Sequence, residues 1–583
     1  LRLRRPRPPA YPVPEPAPTR SLEVAVILDP FSEMALRYEW QQITFGPENW
    51  RTVLGARRPA MLFVESAWNG NNGAWRLHMT KEKRPSAELR ALVEWCRAEG
   101  IPTVFWNKED PPNYDVFIET AKLFDQVFTV DADRIPVYHQ DLGHDRVALL
   151  PFAAQPRLHN PVRRMKGPMH EVAFAGTWFA EKHPERREQM EYLLKPALER
   201  DLHIWSRMQK GDKRYRFPKP YKKHVVGSLP YEKMLSAYTA YKVFLNVNSV
   251  TGSPSMGSRR LFELSACQTA VLSAPAASIK PFFGDDIEVV SNEEEARAAL
   301  DVLLGQDEYR DRQALRAHRR VFDEHLYTHR VDSVLRSVGL AAPQSPEAGS
   351  RGAVKSVSCV VPTMRPEQLD HVIDTMARQS HGPVQLVLVT HGFEAPADLV
   401  ARAAEKGVED VVVQYADSSL NLGALMNLGV DAADGDLVAK VDDDNFYGQH
   451  YLTDLVRALD YSGADVTGKW AHYVHLESSD ATLLRFEHAE HRFVDLVQGG
   501  TLLTSRDLAR EVRFEDLPRR VDTTFLEKVK ARGMKTYSAD RFNFVSVRRV
   551  DPGSHTWPIT EKQLMARSSR LLFYGNPYPH AEA

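Results

Sequence analysis

An α/β architecture built on parallel sheets follows from three features of this 583-residue chain. Short apolar runs rich in β-branched residues alternate with helical stretches. The alternation pauses and restarts at one proline-rich crossing. It begins a third time after a Gly/Ala/Pro/Ser-rich segment. Strands alternating with helices imply crossover connections and a parallel sheet covered on both faces.

The opening "LRLRRPRPPAYPVPEPAPTR" has no periodic apolar face, so residues 1–21 read as a disordered tail, solvated or in reach of acidic lipid. Residues 22–160 form a first lobe. Its strands are "EVAVILD" (23–29), "PAMLFVES" (59–66), "IPTVFWN" (101–107) and "QVFTVD" (126–131), and "SAELRALVEWCRAEG" is one of its helices. The crossing "PFAAQPRLHNPVRRMKGPMH" (151–170) leads into a second lobe, residues 161–338. There the strands are "EVAFAGTW" (171–178), "LHIWS" (202–206), "KVFLNVN" (242–248) and "TAVLSA" (269–274), with a helical stretch over 307–335. Two such lobes leave a cleft outside the carboxyl ends of their strands. Residues 339–354 read as a linker, "GLAAPQSPEAGSRGAVK" marking it. Residues 355–583 form a separate α/β domain, with strands "SVSCVVPT" (356–363), "VQLVLVTHG" (384–392), "VVVQYA" (411–416) and "DLVAKVDDD" (436–444).

Composition removes several classes of function. With 75 basic and 77 acidic residues the formal charge is -2, so nothing points to nucleic acid as a partner. Cys96, Cys267 and Cys359 lack CxxC spacing, which argues against a zinc or disulfide framework and fits a reducing compartment. No apolar run is long enough to span a bilayer. The expected location is the cytoplasm, with the inner face of the plasma membrane as the peripheral alternative.

The stretch "DLVAKVDDDNFYG" (436–448) ends an apolar run on three consecutive carboxylates. Adjacent carboxylates repel, so a positive charge is expected among them. An EF-hand fails, because Phe446 or Tyr447 falls where an oxygen ligand is required. A solvated acidic turn remains, as does a Mg²⁺ or Mn²⁺ site that uses one or two carboxylates plus substrate phosphates.

Flanking motifs favour the metal. "SVSCVVPTMRPEQL", "NLGALMNLGVDAADGDLVAKVDDDNF", "QGGTLLTSRDL" and "RRVDTTFLEKVKARGMKTYS" occur in this order. Together they resemble the family 2 glycosyltransferases of GT-A fold over residues 355 to about 558. The resemblance implies a metal-dependent, inverting transfer from a nucleotide-diphosphate sugar. It places Pro362, Thr363, Asn421, Gly423, Asn427, Asp442 and Asp443 at the nucleotide sugar, and Gly499 and Gly500 on the acceptor side. By the D-x-D pattern, Asp442 and Asp444 would hold Mn²⁺ or Mg²⁺, with His555 of "VDPGSHTW" completing the shell. Asp522 falls where the family carries its base; from the residues alone it also reads as a helix N-cap. The chain departs from the pattern at Val521, where the family often has Glu, and at Met426, in place of a common basic residue. The second strand ends Thr390-His391-Gly392 instead of in acidic residues, which leaves the nucleotide base open.

In the first half, "FWNKEDPPNYDVF", "FDQVFTVDADRIPVYHQ", "VAFAGTW" and "MGSRRLFELSACQTAVLSAPA" resemble the spore-maturation CgeB-like glycosyltransferases. These have a GT-B fold, two Rossmann-like lobes around a cleft, the first on the acceptor side and the second on the nucleotide-sugar side. Arg259 and Arg260 at a helix start suit a diphosphate. Glu263 would hold the ribose by the family pattern, without the paired glutamate of many relatives; Ser255 lies near its place. Gly176 and Thr177 form a strand-to-helix turn, either a phosphate approach or an ordinary tight turn. Glu109 and Asp110 are candidates for the base, or for caps of the next helix. "WNGNNGAW" (68–75) reads as a sugar surface or a flexible loop.

The combined expectation is a bifunctional glycosyltransferase. A CgeB-like GT-B head and a family 2 GT-A head would add sugars successively to a glycan, such as a bacterial cell-surface polysaccharide, or to a lipid-linked or protein acceptor. The alternative is one active GT-A head beside a non-catalytic GT-B-like module that binds glycan or nucleotide.

Overall fold

The computed structural model describes residues 6–179, 184–208, 211–340, 354–549 and 560–583. The chain divides into two compact units, Leu1–Gly352 and Ala353–Ala583.

The first unit holds two six-stranded parallel sheets. One consists of β1 (Glu23–Ile27), β2 (Gln41–Ile43), β3 (Met61–Glu65), β4 (Thr103–Asn107), β5 (Gln126–Thr129) and β6 (Val147–Leu149), in the order β2-β1-β3-β4-β5-β6. The other consists of β7 (His170–Gly176), β8 (Leu202–Ser206), β9 (Val225–Gly227), β10 (Tyr241–Asn246), β11 (Ala270–Ser273) and β12 (Glu288–Val289), ordered β12-β11-β10-β7-β8-β9. Their central strands are buried along their length, as continuous apolar runs in a sheet covered on both faces should be. Strand order reverses between β1 and β3 and again between β7 and β10. Such switch points open crevices at the carboxyl ends of parallel sheets.

Two expectations for this unit need correction. The helical stretch 307–335 is two helices, Asp307–Glu324 and Tyr327–Ser337, separated at His325 and Leu326. The second helix lies against the first sheet's lobe: Thr328 donates to Glu39, and Arg330 donates to the carbonyls of Pro151 and Phe152. Residues 6–21, read as a tail, are docked. Tyr11 is buried and donates its hydroxyl to the Arg157 carbonyl, while Arg20 pairs with Glu39 and Asp332. An extended, proline-rich strap needs no periodic apolar face if single anchors such as Tyr11 fill prepared sites.

The second unit is built on a mixed eight-stranded sheet. Its first strands are β13 (Val357–Thr363), β14 (Val384–His391), β15 (Val411–Ala416) and β16 (Leu437–Lys440), all parallel. β17 (Phe446–Tyr447), β18 (Val466–Gly468), β19 (His472–Leu476), β20 (Ala481–Arg485), β21 (Arg492–Val494) and β22 (Leu503–Ser505) follow. β23 (Thr536–Ser538), β24 (Phe544–Arg548) and β25 (Ser569–Tyr574) complete the set. The large sheet runs β15-β14-β13-β16-β22-β18-β23-β21, with its switch point between β13 and β16. A second, five-stranded sheet, β17-β24-β19-β20-β25, is an addition that sequence reasoning did not anticipate. Asn445, directly after the three carboxylates, accepts from the Val547 amide and so ties their loop to that sheet.

Candidate functional site

In the second unit the expected residues converge on the switch point. Asp442, Asp443 and Asp444 follow β16 beside the end of β13, and each carboxylate has its own partners. Asp443 is buried; Thr363 Oγ1 donates to it at 2.5 Å, and Arg365 donates to both of its oxygens. Arg365 also donates to Asp444 at 2.8 Å. Asp442 accepts from Lys440 Nζ at 2.6 Å and from Asn445 at 3.1 Å. The positive charge expected among the carboxylates is therefore supplied in part by Arg365 and Lys440, neither of which was singled out in the sequence. Lys440 carried a visible signal, a lysine interrupting the apolar strand "LVAKV".

Lys440 is 3% exposed, and burial by itself would lower its pKa; Asp442 and Asp522 overcome this and raise it. Its ammonium lies 3.7 Å from Asp522 Oδ1, which accepts no hydrogen bond. Burial raises the Asp522 carboxyl, with Lys440 opposing and Asp442 adding to the rise. Asp522 is not the cap of its helix. Arg520 occupies that position in a left-handed conformation, and Asp522 sits in the first turn of Val521–Ala531, where a helix dipole favours its charge. Asp444 is likewise raised, by burial and then by Asp442, against the pull of Arg365.

Gly499 and Gly500 lie against these carboxylates. A Cβ on Gly499 would come within 2.7 Å of Asp522 Cγ, and one on Gly500 within 2.8 Å of Asp442 Cγ. The Gly500 carbonyl accepts from Tyr447 Oη, which in turn accepts from the Asp442 amide. The two glycines, Asp442 and Asp522 thus form one tightly packed wall.

Other expected residues stand in β13 and at the helix Leu422–Ala432. Asn427 exchanges two hydrogen bonds with the backbone of Phe514, so its amide is not presented to a ligand. Gly423 is required because a Cβ there would overlap the Glu515 carbonyl. Asn421 caps the helix Leu422–Ala432 without a side-chain bond. Pro362 lies in β13, paired with Val389. His555 lies outside the described residues.

A dication suits the donor set at the level of chemistry. Within ion-pair distance, four carboxylates (Asp442, Asp443, Asp444 and Asp522) meet two cations, Arg365 and Lys440. Two negative charges are left over, and the ligands are hard oxygens. Among the described residues these carboxylates do not by themselves close a three-ligand group, as is usual where substrate phosphates complete the shell.

The first unit presents the opposite electrostatics. At the β7–β10 switch point, Arg260 donates to the Ala175 carbonyl, just before Gly176 and Thr177, and Arg186 donates to Ser249. Burial, then Arg260 and Arg207, lowers Arg186 to about 10. The Nε groups of Arg186 and Arg260 are buried without hydrogen-bond partners. Arginines that repel one another and carry unused donors give this edge positive charge. Arg186 and Arg207 were missed because each lies far in sequence from the "SRRLFEL" helix.

Three of the expected sites here are buried or already engaged within the fold. Glu263 is 1% exposed and fully engaged, accepting from Tyr231, Tyr238 and Arg259. Burial would raise its carboxyl, but Arg259 and His159 outweigh that and hold it below the usual value. In this structure its oxygens are taken by these three partners. Asp110 does not face the cleft: it is fully buried, accepting from Asn107, Thr129 and Tyr138, and burial lifts it to about 7. Glu109 accepts from Asn113, four residues on. At the β1–β3 switch point stand Asp29 and Glu65 instead, both paired with Lys108. The expected sugar surface is largely structural too, since Trp75 is core and Asn71 bonds the backbone of Val26, Leu28 and Phe45. Ser255 joins the lobes, donating to the Val130 carbonyl and accepting from the Ala132 amide.

Comparison with known proteins follows this division. Residues 186–336 match a family model described as glycosyl transferase-like, and residues 358–501 match glycosyl transferase family 2. The spore protein CgeB of Bacillus subtilis (strain 168) is 30% identical over 66 residues, 11% of this chain and 20% of that protein. Among solved structures, S. aureus TarS 1-349 in complex with UDP-GlcNAc is 16% identical with a TM-score of 0.27, covering 34% of this chain and 59% of that one. Mannosyltransferase PcManGT from Pyrobaculum calidifontis, in complex with GDP-Man and Mn2+, is 15% identical with a TM-score of 0.27, covering 34% and 58%. The chain thus spans about a fifth of the curated relative and under two thirds of these solved chains. Both recognitions made from the motifs are borne out: the first half matches a glycosyl transferase-like model and shares a segment with CgeB, the second half matches glycosyl transferase family 2, and both are α/β.

Proposed function

We propose that the chain transfers sugars from nucleotide-diphosphate donors at two heads, adding them to a glycan or glycoconjugate acceptor. The observation that carries the reading is the Asp442–Lys440–Asp522 cluster at the end of β16, with Gly499 and Gly500 packed on it. At this head Asp522 would take the proton from the acceptor hydroxyl. Its partly exposed side chain and raised pKa suit a base. Lys440 holds Asp442 and Asp522 in place and opposes the rise of the Asp522 carboxyl. Thr363 and Arg365 orient Asp443 and Asp444. A Mn²⁺ or Mg²⁺ ion held by Asp442 and Asp444 would supply Lewis-acid stabilisation of the departing diphosphate. Attack from the face opposite the leaving group would invert the anomeric centre.

At the first head, Arg186, Arg259 and Arg260 would stabilise the diphosphate without a metal. Tethering the heads would raise the effective concentration of the first product at the second site. Among the described residues no helix is long and apolar enough to cross a membrane, and a peripheral position at the inner face of the plasma membrane would suit a lipid-linked acceptor.

A second reading is favoured by the burial of Asp110 and the full engagement of Glu263: the first unit binds glycan or nucleotide and leaves chemistry to the second. The test is a nucleotide-sugar panel on the full chain with Mn²⁺, scored by mass spectrometry, beside Asp522→Asn and Arg260→Ala. Two products, each lost in one variant, support two heads. Loss of every product in Asp522→Asn selects the second reading. No transfer or hydrolysis from any donor rejects both.

A further inference from the structure

The cluster formed by His170, Asp201 and His203 lies at the amino-terminal end of the second sheet, at the opposite end of β7 from Gly176 and the arginines. His170 opens β7, Asp201 directly precedes β8, and His203 is the second residue of β8. His170 Nδ1 stands 3.1 Å from Asp201 Oδ2, and His203 Nε2 stands 3.4 Å from Asp201 Oδ1. The two imidazole centroids are 4.8 Å apart at 72°. One ligating atom from each residue lies within 4.8 Å of the other two.

His170 is hydrogen-bonded to Asp201, whereas His203 meets it only across a 3.4 Å ion-pair distance. The His203 ring is 1% exposed, and its Nε2 is buried without a hydrogen-bond partner although it points toward the carboxylate. Its other nitrogen, Nδ1, is 3.2 Å from Tyr241 Oη, and that oxygen accepts from Trp205 Nε1 at 3.1 Å. The ring is therefore fixed from behind, as the rings of metal-ligating histidines are when the distal nitrogen has a partner. The Glu171 carboxylate accepts from the Asp201 amide at 2.8 Å and holds the backbone that carries the third ligand. A buried polar nitrogen left unpaired is costly unless something binds it.

We propose that His170, Asp201 and His203 form a binding site for a borderline transition-metal dication, with Zn²⁺ the expected ion. Two imidazoles and one carboxylate are ligands that zinc takes readily, whereas Mg²⁺ and Ca²⁺ prefer oxygen alone. Three protein ligands leave a fourth tetrahedral position for water, on the side where Asp201, 38% exposed, opens the cluster to solvent. Bound there, the ion would join the start of β7 to the start of β8 and so brace the nucleotide-side lobe from the end remote from its arginines. The site is independent of the proposed transfer chemistry.

The test uses the full chain, stripped with a chelator and then dialysed against micromolar Zn²⁺, with metal per chain read by mass spectrometry. Asp201→Asn and His170→Ala alter partly exposed side chains, so they should fold; circular dichroism checks this, and His203→Gln is read only if it too is folded. The wild type is expected to retain one more Zn²⁺ per chain than Asp201→Asn or His170→Ala, and the Asp444→Asn variant to retain that extra ion. Added Zn²⁺ should raise the Tm of the wild type and not that of Asp201→Asn. Equal zinc content in the wild type and both variants, or an equal Tm rise in Asp201→Asn, overturns the proposal.

Discussion

The two units place opposite charge at the same topological position. In the second, the switch point between β13 and β16 gathers four carboxylates around two buried or half-buried cations. In the first, the switch point between β7 and β10 gathers Arg186 and Arg260, whose Nε groups lack partners, and one buried carboxylate, Glu263, paired with Arg259. A sheet edge fixes where a ligand meets the fold but not how a diphosphate is neutralised there. On the proposed reading the acidic edge would need an added cation, while the basic edge would carry its own. The contrast can be broken experimentally by asking whether each edge behaves according to its charge.

The largest effect is expected at Asp522. Replacing it with Asn removes the proposed base while preserving its shape, and should lower kcat for the second head's product by about 10²–10⁴-fold. Product formed at the first head should be unchanged. In the wild type, the acid limb of kcat/KM for the second head should lie above the ordinary aspartate value of about 3.9, because burial raises this carboxyl. Lys440→Met removes the opposing charge and should move that limb further up. A limb that stays in place would show that Asp522 is not the titrating group.

Next is Gly500→Ala. The added methyl would meet Asp442 Cγ at 2.8 Å, and displacing that carboxylate by a fraction of an ångström should lower kcat/KM by about 10²-fold. Full activity would show that the wall beside Asp442 yields and does not position it.

A smaller effect is expected at the basic edge. Arg260→Ala removes one charged donor, about 1.5–3 kcal/mol, so nucleotide-diphosphate binding to the first unit should weaken by about 10–100-fold. Chelation should abolish transfer at the second head, while in Asp201→Asn, which lacks the proposed zinc site, it should leave that binding unchanged. Sensitivity of both heads to chelator would erase the contrast.

How much of this was readable in advance depends on whether a feature is local in sequence. β13, β14 and β16 were legible because each is a β-branched apolar run bounded by turn residues. The three carboxylates were legible for the same reason, being consecutive. Arg365 was not, because only the fold brings it to Asp443, 78 residues away. The second sheet of this unit escaped notice because strands such as "HYVHL" and "ATLLR" are short and carry polar residues within them. Asp110 misled: a carboxylate at the end of a strand looks available, and nothing local announces that Asn107, Thr129 and Tyr138 converge on it.

Asp110 also supplies the finest test of the comparison, because it asks whether the first unit holds a catalytic acid where the motif suggested one. Its folded pKa of about 7 stands above the unfolded value of about 3.9. Between those values the folded chain keeps a proton that the unfolded chain releases, so this group's contribution to stability is full below about pH 4 and is lost as pH rises through about 7. Asp110→Asn carries no such proton. Its Tm relative to the wild type should therefore climb by a few degrees between about pH 4 and pH 7, while transfer at the first head changes less than about twofold. If the Tm difference were flat across that range and first-head activity fell by orders of magnitude, Asp110 would be the base after all, and the first unit's chemistry would rest on a carboxylate as the second's does.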